Sequence, residues 1–216
     1  MRRMACVIAL LLAATTLPQG TVSAAGAGAA VHNWTYEASA SSLTTVDGVE
    51  TYAGVGVGTG KMLINGVTYQ DATTVVAFWG QTWWDRHGQH FFGGSGRGEA
   101  TSFTIDSSLN GAAVVADIPW QWCTFDEIHG EQCWDGGPMP VTMTWTARGD
   151  MEAVTTQFND VSRWFSIIEA TRASRRLADA AGMIGTIEIG PMVPEWTDLA
   201  RGSVLTVFVV PGLPSL

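Results

Sequence analysis

Residues 141–147 read VTMTWTA, and their alternation is the clearest indication of the fold class. Val141, Met143 and Trp145 alternate with three threonines. A period of two places the apolar side chains on one face of a strand and the hydroxyl groups on the other. Valine, threonine and aromatic residues are also favoured in strands. The stretch therefore predicts a β-strand with one buried face.

The same alternation recurs along the chain. It is present in NWTYEASA (residues 33–40) and in TSFTID (residues 101–106). Asn-Gly pairs at 65–66 and 110–111 lie between apolar runs, where they predict hairpin turns. We therefore predict an all-β, mainly antiparallel, single-domain β-sandwich or barrel-like fold of about 8–10 strands.

Residues 160–182 (DVSRWFSIIEATRASRRLADAAG) allow two interpretations. Alanine, arginine and leucine favour one helix around 162–181, and Gly182 stands where a helix would end. The WFSII stretch equally favours a continuous strand. The sequence leaves both alternatives open, and the all-β prediction holds with either.

The N-terminus has the three parts of a secretory signal peptide. Basic residues come first, an apolar run follows, and Val22-Ser23-Ala24 fits the cleavage rule. We expect residues 1–24 to be a signal peptide cleaved near Ala24, residues 25–32 to be a flexible lead-in, and residues 33–212 to form a single β-rich domain. No later segment has the roughly 20 apolar residues of a membrane span. The predicted location is secreted, outside the cell.

The charge balance excludes some partners. The 216-residue chain has 11 basic and 20 acidic residues, a net charge of −9. Cleavage after residue 24 would remove Arg2 and Arg3 and no acid, which takes the charge from −9 to −11. Nucleic acid and anionic membranes would be repelled. We predict neither as a partner, and name a carbohydrate or a surface protein instead.

Two of the three cysteines belong to the expected mature chain. Cys6 lies in the expected signal peptide, so Cys123 and Cys133 can form a disulfide only with each other. An oxidised pair persists in exported proteins. We predict a disulfide that closes the loop within WCTFDEIHGEQCW (residues 122–134).

A glycine-rich stretch, YAGVGVGTGKM (residues 52–62), does not have P-loop spacing. A P-loop would need glycine at Val55 and serine or threonine at Met62. Glycines at alternate positions instead predict a strand whose bare face lies against a bulky neighbour such as a tryptophan.

A metal site is one candidate. Asp85, His87 and His90 lie within eight residues and have the ligand types that zinc prefers. Gly88 marks a hairpin tip here, however, and in a strand the two histidines would point to opposite faces. The alternative is a solvated turn, and a divalent metal is the only cofactor considered.

A ligand-binding surface is the second candidate. Five tryptophans lie next to predicted turns, where their rings could stack on sugars or fill the core. The cystine loop adds carboxylates that could contact a partner or hold calcium, or that are simply solvated. The candidate residues are Trp83, Trp84, Trp120, Trp122, Trp134, Asp126, Glu127 and Glu131.

Catalytic motifs are missing. The chain has neither a Gly-x-Ser-x-Gly elbow nor a His-Glu-x-x-His pair. The leading hypothesis is a secreted, non-enzymatic binding or surface-interaction module. The alternatives are a metal-dependent hydrolase or small-molecule enzyme that uses the Asp/His cluster, and a structural component of the cell envelope.

Overall fold

The computed structural model describes residues 29–64, 66–161 and 166–209, so the predicted signal peptide lies outside the described residues. The described chain is almost entirely antiparallel β-structure, with one 3₁₀ turn at Pro194–Trp196. The strands are β1 (Ala29–Val46), β2 (Val49–Ile64), β3 (Val67–Gln70), β4 (Thr74–Asp85), β5 (Gly88–Ile105), β6 (Gly111–Asp126), β7 (Gly130–Ala147), β8 (Glu152–Val161), β9 (Ser166–Ile184), β10 (Ile187–Ile189) and β11 (Asp198–Val209).

Strand β1 closes the sheet into a ring because it pairs with β2 on one side and with β11 on the other. Around the ring the order is β1–β11–β9–β7–β6–β5–β4–β2, eight strands in all. Outside the ring, β3 pairs with β2, and both β8 and β10 pair with β9. Closure leaves no unpaired edge in the ring itself. The all-β, barrel-like prediction is confirmed.

The hydrophobic core lies inside this ring. Val141, Met143 and Trp145 of β7 are 0, 1 and 2% exposed, as their alternation predicts. The Trp145 indole also donates a hydrogen bond of 2.8 Å to the Ser39 carbonyl of β1, across the ring. Small residues such as Ala40 of β1 leave room for these larger side chains. The interior is therefore filled by side chains.

Residues 166–184 form strand β9, so the helical alternative for 162–181 is wrong where the structure describes it. Ala178 and Ile184 point into the core, and Leu177 lies outward with 37% of its surface exposed. Strand β9 pairs with β11 along residues 166–177 and with β7 along residues 178–184. These two ladders override the helix propensity of alanine and arginine.

The two predicted hairpin turns lie where expected, with different geometry. Gly66 has φ 81° and directly precedes β3, whereas Asn65 of the predicted turn lies outside the described residues. The second connection is longer, because β5 ends at Ile105 and β6 begins at Gly111. In this connection Leu109 has φ 55° and is completely buried. Its side chain therefore fills the interior at that end of the ring.

The glycine-rich stretch is part of β2, and its glycines lie on the outer face. A Cβ at Gly54 would come within 2.5 Å of Phe78, so an aromatic ring does cover the bare backbone there. The ring is a phenylalanine rather than the tryptophan that we expected. Gly56 has nothing within 4 Å of such a Cβ and stays uncovered.

Strands extend beyond the ring at both ends. At one end, the β4–β5 and β6–β7 hairpins form a four-stranded extension. At the other end, β3, β2, β1, β11, β9 and β8 form a six-stranded extension. None of the residues described here belongs to a helix with the length and apolar character needed to cross a membrane.

Candidate ligand-binding site

Aromatic side chains collect on one face of the four-stranded extension. Trp83 pairs with His90 across β4 and β5, and Trp122 pairs with Trp134 across β6 and β7. Because alternate residues share a face, the register places these rings on the side that continues the ring interior. We call this set the aromatic face: Trp79, Trp83, His90, Phe92, Trp122 and Trp134.

Four rings of the aromatic face contact one another. Phe92 and Trp122 are stacked, with centroids 5.4 Å apart and planes 3° from parallel. Trp79 meets both of them edge-on, at 6.0 and 6.2 Å. Trp134 lies 6.4 Å from Phe92 and is 46% exposed, so the cluster reaches solvent. Aromatic pairs of this kind contribute about 0.5–1.5 kcal/mol beyond their buried area, so these contacts stabilise the arrangement of the rings.

Trp120 lies beneath the aromatic face, on the side of the core. It is 2% exposed and meets Trp122 edge-on at 5.6 Å. Gly94 and Gly96 of β5 make room for its ring, since a Cβ at either position would collide with it or with nearby backbone. Its indole nitrogen has no hydrogen-bond partner among the described residues. Trp120 was a predicted ligand contact, but the structure places it in the core.

Polar groups border the aromatic face. His90 Nε2 lies 2.9 Å from Asp85 Oδ1, and the imidazole stacks on Trp83 at 5.4 Å. The backbone N–H of His87 and then the His90 ring lower the pKa of Asp85. The pair therefore presents an ionised carboxylate and an oriented imidazole beside the rings.

The predicted metal ligands are only partly brought together. Asp85 contacts His90, but the His87 ring accepts a 2.9 Å hydrogen bond from Arg86. Within the described ranges, the three candidate ligand groups that lie within 4.8 Å of one another are Cys123, Glu131 and Cys133. Both of those sulfurs belong to the disulfide, so they are not free thiolates.

The disulfide between Cys123 and Cys133 is present, with Cα atoms 4.1 Å apart. The two cysteines pair directly across β6 and β7, next to the Trp122–Trp134 pair. Successive residues of a strand point to opposite faces, so the disulfide lies behind the aromatic face.

Two acids of the cystine loop have structural contacts. Asp126 accepts hydrogen bonds from the backbone N–H groups of Ile128 and His129, and its pKa is lowered by them and by the His129 ring. Glu127 accepts a 3.2 Å bond from the backbone N–H of Gln89, which links the two hairpin tips. Glu131 is exposed.

Trp84 lies on the opposite face of β4 from Trp83 and is 57% exposed. Trp79 and Phe92, by contrast, belong to the aromatic face although the sequence reasoning missed them. Phe92 stands directly before Gly93 and Gly94, and the missing side chain at Gly94 makes room for the Trp120 ring beneath this face. Gly94, two residues after an aromatic residue, was the available signal.

Comparison with known proteins gives no family. No protein-family model matches the chain. No curated protein matches it either. Among solved structures, the translocator domain of the autotransporter NalP from Neisseria meningitidis is similar at 7% identity, over 86% of this chain and 88% of that one, with a TM-score of 0.16. A TM-score this low does not establish a shared fold.

Proposed function

We propose that this chain is an exported, non-enzymatic binding module whose aromatic face binds carbohydrate. The observation that supports the proposal best is the stacked Phe92–Trp122 pair with the half-exposed Trp134 beside it. The apolar C–H face of a sugar ring can stack on rings that are held flat in this way.

Polar groups on the same face suit a sugar better than a purely apolar ligand. Gln81 pairs with Phe92 across β4 and β5, and Thr124 pairs with Phe92 across β5 and β6. Gln132 pairs in turn with Thr124. These amide and hydroxyl groups lie around the rings, as is typical of sites that combine apolar walls with a few polar contacts.

The test uses two exposed tryptophans on opposite faces. Trp134→Ala removes a ring of the aromatic face, and Trp84→Ala is the matched control because it removes an even more exposed ring from the other face. Binding to a panel of neutral oligosaccharides would be measured by calorimetry. We expect Trp134→Ala to weaken binding about tenfold or more, and Trp84→Ala to leave it unchanged.

Two outcomes would overturn the proposal. One is the absence of binding across the panel by a folded sample. The other is an equal loss in both variants, because a sugar that stacks on the aromatic face does not touch Trp84.

A second candidate function is a metal-dependent hydrolase. It rests on the contact between Asp85 and His90 beside the aromatic face. That pair supplies two ligands, whereas catalytic zinc sites use three protein ligands. The binding module is therefore the better-supported proposal.

A further inference from the structure

The six-stranded extension at the other end of the ring has a different inner face. The register aligns one residue from each strand in a straight row. Every side chain in the row can donate a hydrogen bond. We call it the donor row: Gln70 (β3), Lys61 (β2), Trp34 (β1), Ser203 (β11), Arg172 (β9) and Thr155 (β8).

Among the described residues, none of those on the face around the donor row has an acidic side chain. The adjacent rows hold Thr59, Tyr36, Arg201 and Ser174 on one side and Thr68, Leu63, His32, Leu205, Ala170 and Gln157 on the other. The acids of the same strands alternate to the outer face: Glu37, Glu50, Glu152, Asp160, Glu169, Asp179 and Asp198. In a chain with 20 acidic and 11 basic residues, this face is locally positive.

The cations of the row are free to bind an anion. Lys61 is the chain's only lysine, and its Nζ lies 5.1 Å from the Trp34 ring centroid. Neither Lys61 nor Arg172 has an ion-pair partner in the part of the chain that the structure describes. The nearest loop contributes Asp106, but Ser108 and Asn110 already hydrogen-bond that carboxylate.

The centre of the row is aromatic and half-buried. His32 packs on Trp34 with ring centroids 3.6 Å apart, so the indole is held in place. Three strand spacings separate Lys61 from Arg172, which is about 14 Å between backbones. Both side chains are long enough to lean toward a ligand that lies over Trp34 and Ser203.

We propose that the donor row binds an acidic saccharide, a glycan whose rings have carboxylate groups. One sugar ring would contact the part of the half-buried Trp34 indole that His32 and Lys61 leave open, and carboxylates would pair with Lys61 and Arg172. The neutral donors at Gln70, Ser203 and Thr155 would hydrogen-bond hydroxyl groups along the chain. This site is at the opposite end of the ring from the aromatic face, and it does not depend on carbohydrate binding there.

Other anions fit the row less well. A nucleic acid gains its affinity from many phosphate contacts, and two free cations in a strongly acidic protein supply few. A single small anion would leave most of the row unused, because five strand spacings extend over about 24 Å. An extended chain with hydroxyl groups and spaced carboxylates uses the whole row.

The experiment compares two forms of one ligand. Short oligogalacturonate would be titrated into the full chain by calorimetry, beside the same oligomer with methyl-esterified carboxylates. We expect binding of the free acid only, with an affinity that falls as salt rises. Lys61→Gln and Arg172→Gln should each weaken it about tenfold or more. Arg97→Gln removes the same charge from an exposed outward position on β5 and should have no effect.

Several results would overturn the inference. Equal binding of the methyl ester would show that charge is not recognised, and equal loss in Arg97→Gln would show that the net charge alone matters. Tighter binding of single-stranded DNA of the same length would assign the face to another ligand. Trp134→Ala should leave oligogalacturonate binding intact, which separates this site from the aromatic face.

Discussion

Removal of the Cys123–Cys133 disulfide tests how strongly the covalent bond between β6 and β7 stabilises the domain and supports the aromatic face. The bridge spans 10 positions in sequence. On the chain-entropy model, a closed loop of that length stabilises the folded state by about 2.7 kcal/mol at 25 °C. For a domain of this size, that corresponds to a fall in Tm of about 5–11 °C.

The double variant Cys123→Ser/Cys133→Ser would be compared with the parent chain by thermal unfolding. The parent chain under reducing conditions should unfold at the same temperature as the variant. Trp122 and Trp134 pair directly next to the bridge, so the variant should also bind oligosaccharide on the aromatic face more weakly. The triple variant Asp126→Ser/Glu127→Ser/Glu131→Ser should stay folded, with a much smaller change in Tm.

An unchanged Tm in the double variant would refute this reasoning, because the β6–β7 ladder alone would then hold the hairpin ends together. Unfolding of the triple variant would show that the contacts of Asp126 and Glu127 are essential for folding.

Three further predictions concern single sites. Leu109→Ala should lower the free energy of unfolding by about 3–5 kcal/mol, because Leu109 is completely buried at one end of the ring; denaturant unfolding measures this, and a loss below about 1 kcal/mol would show that the loop does not seal the core. Although Glu37 is exposed as a residue, neighbouring atoms desolvate its carboxyl group, and this together with the nearby Asp198 carboxylate raises its pKa above the ordinary 4.5; its favourable contribution is therefore present at low pH and is lost as pH rises through the folded-state pKa. Glu37→Gln should therefore raise Tm at about pH 7 and not at about pH 3, and a gain that is the same at both pH values would contradict the assignment. Zinc should leave Tm unchanged, because Asp85 and His90 supply only two ligands; a rise that Asp85→Asn abolishes would instead support the metal-dependent alternative.

Local patterns predicted the strands well, since alternation depends only on neighbouring residues. The core positions of VTMTWTA and the hairpins near residues 66 and 111 follow from such patterns. Ring closure could not be predicted, because it requires β1 to pair with both β2 and β11. For residues 166–184 the pairing partners decided between two propensities that the sequence left balanced.

The residues of the candidate sites also differ in whether a local sequence pattern could predict them. The disulfide followed from the number of cysteines, and Trp122 and Trp134 followed from their positions next to predicted turns. The place of Trp120 in the core depends on its contact with Gly94 of the neighbouring strand, which no local pattern indicates. The donor row requires the register of six strands, so its residues have no common signal in the sequence.

Closure of the ring also determines when folding can finish, because both β1 and β11 must have been synthesised. Ala38 of β1 pairs with Leu199 of β11, so the closing ladder joins residues from opposite ends of the described chain. Contacts this distant in sequence form slowly, because a long loop must be ordered before they form. During synthesis, β1 lacks its second neighbour until residues 198–209 have been made. The ring therefore stays open until β11 has been made.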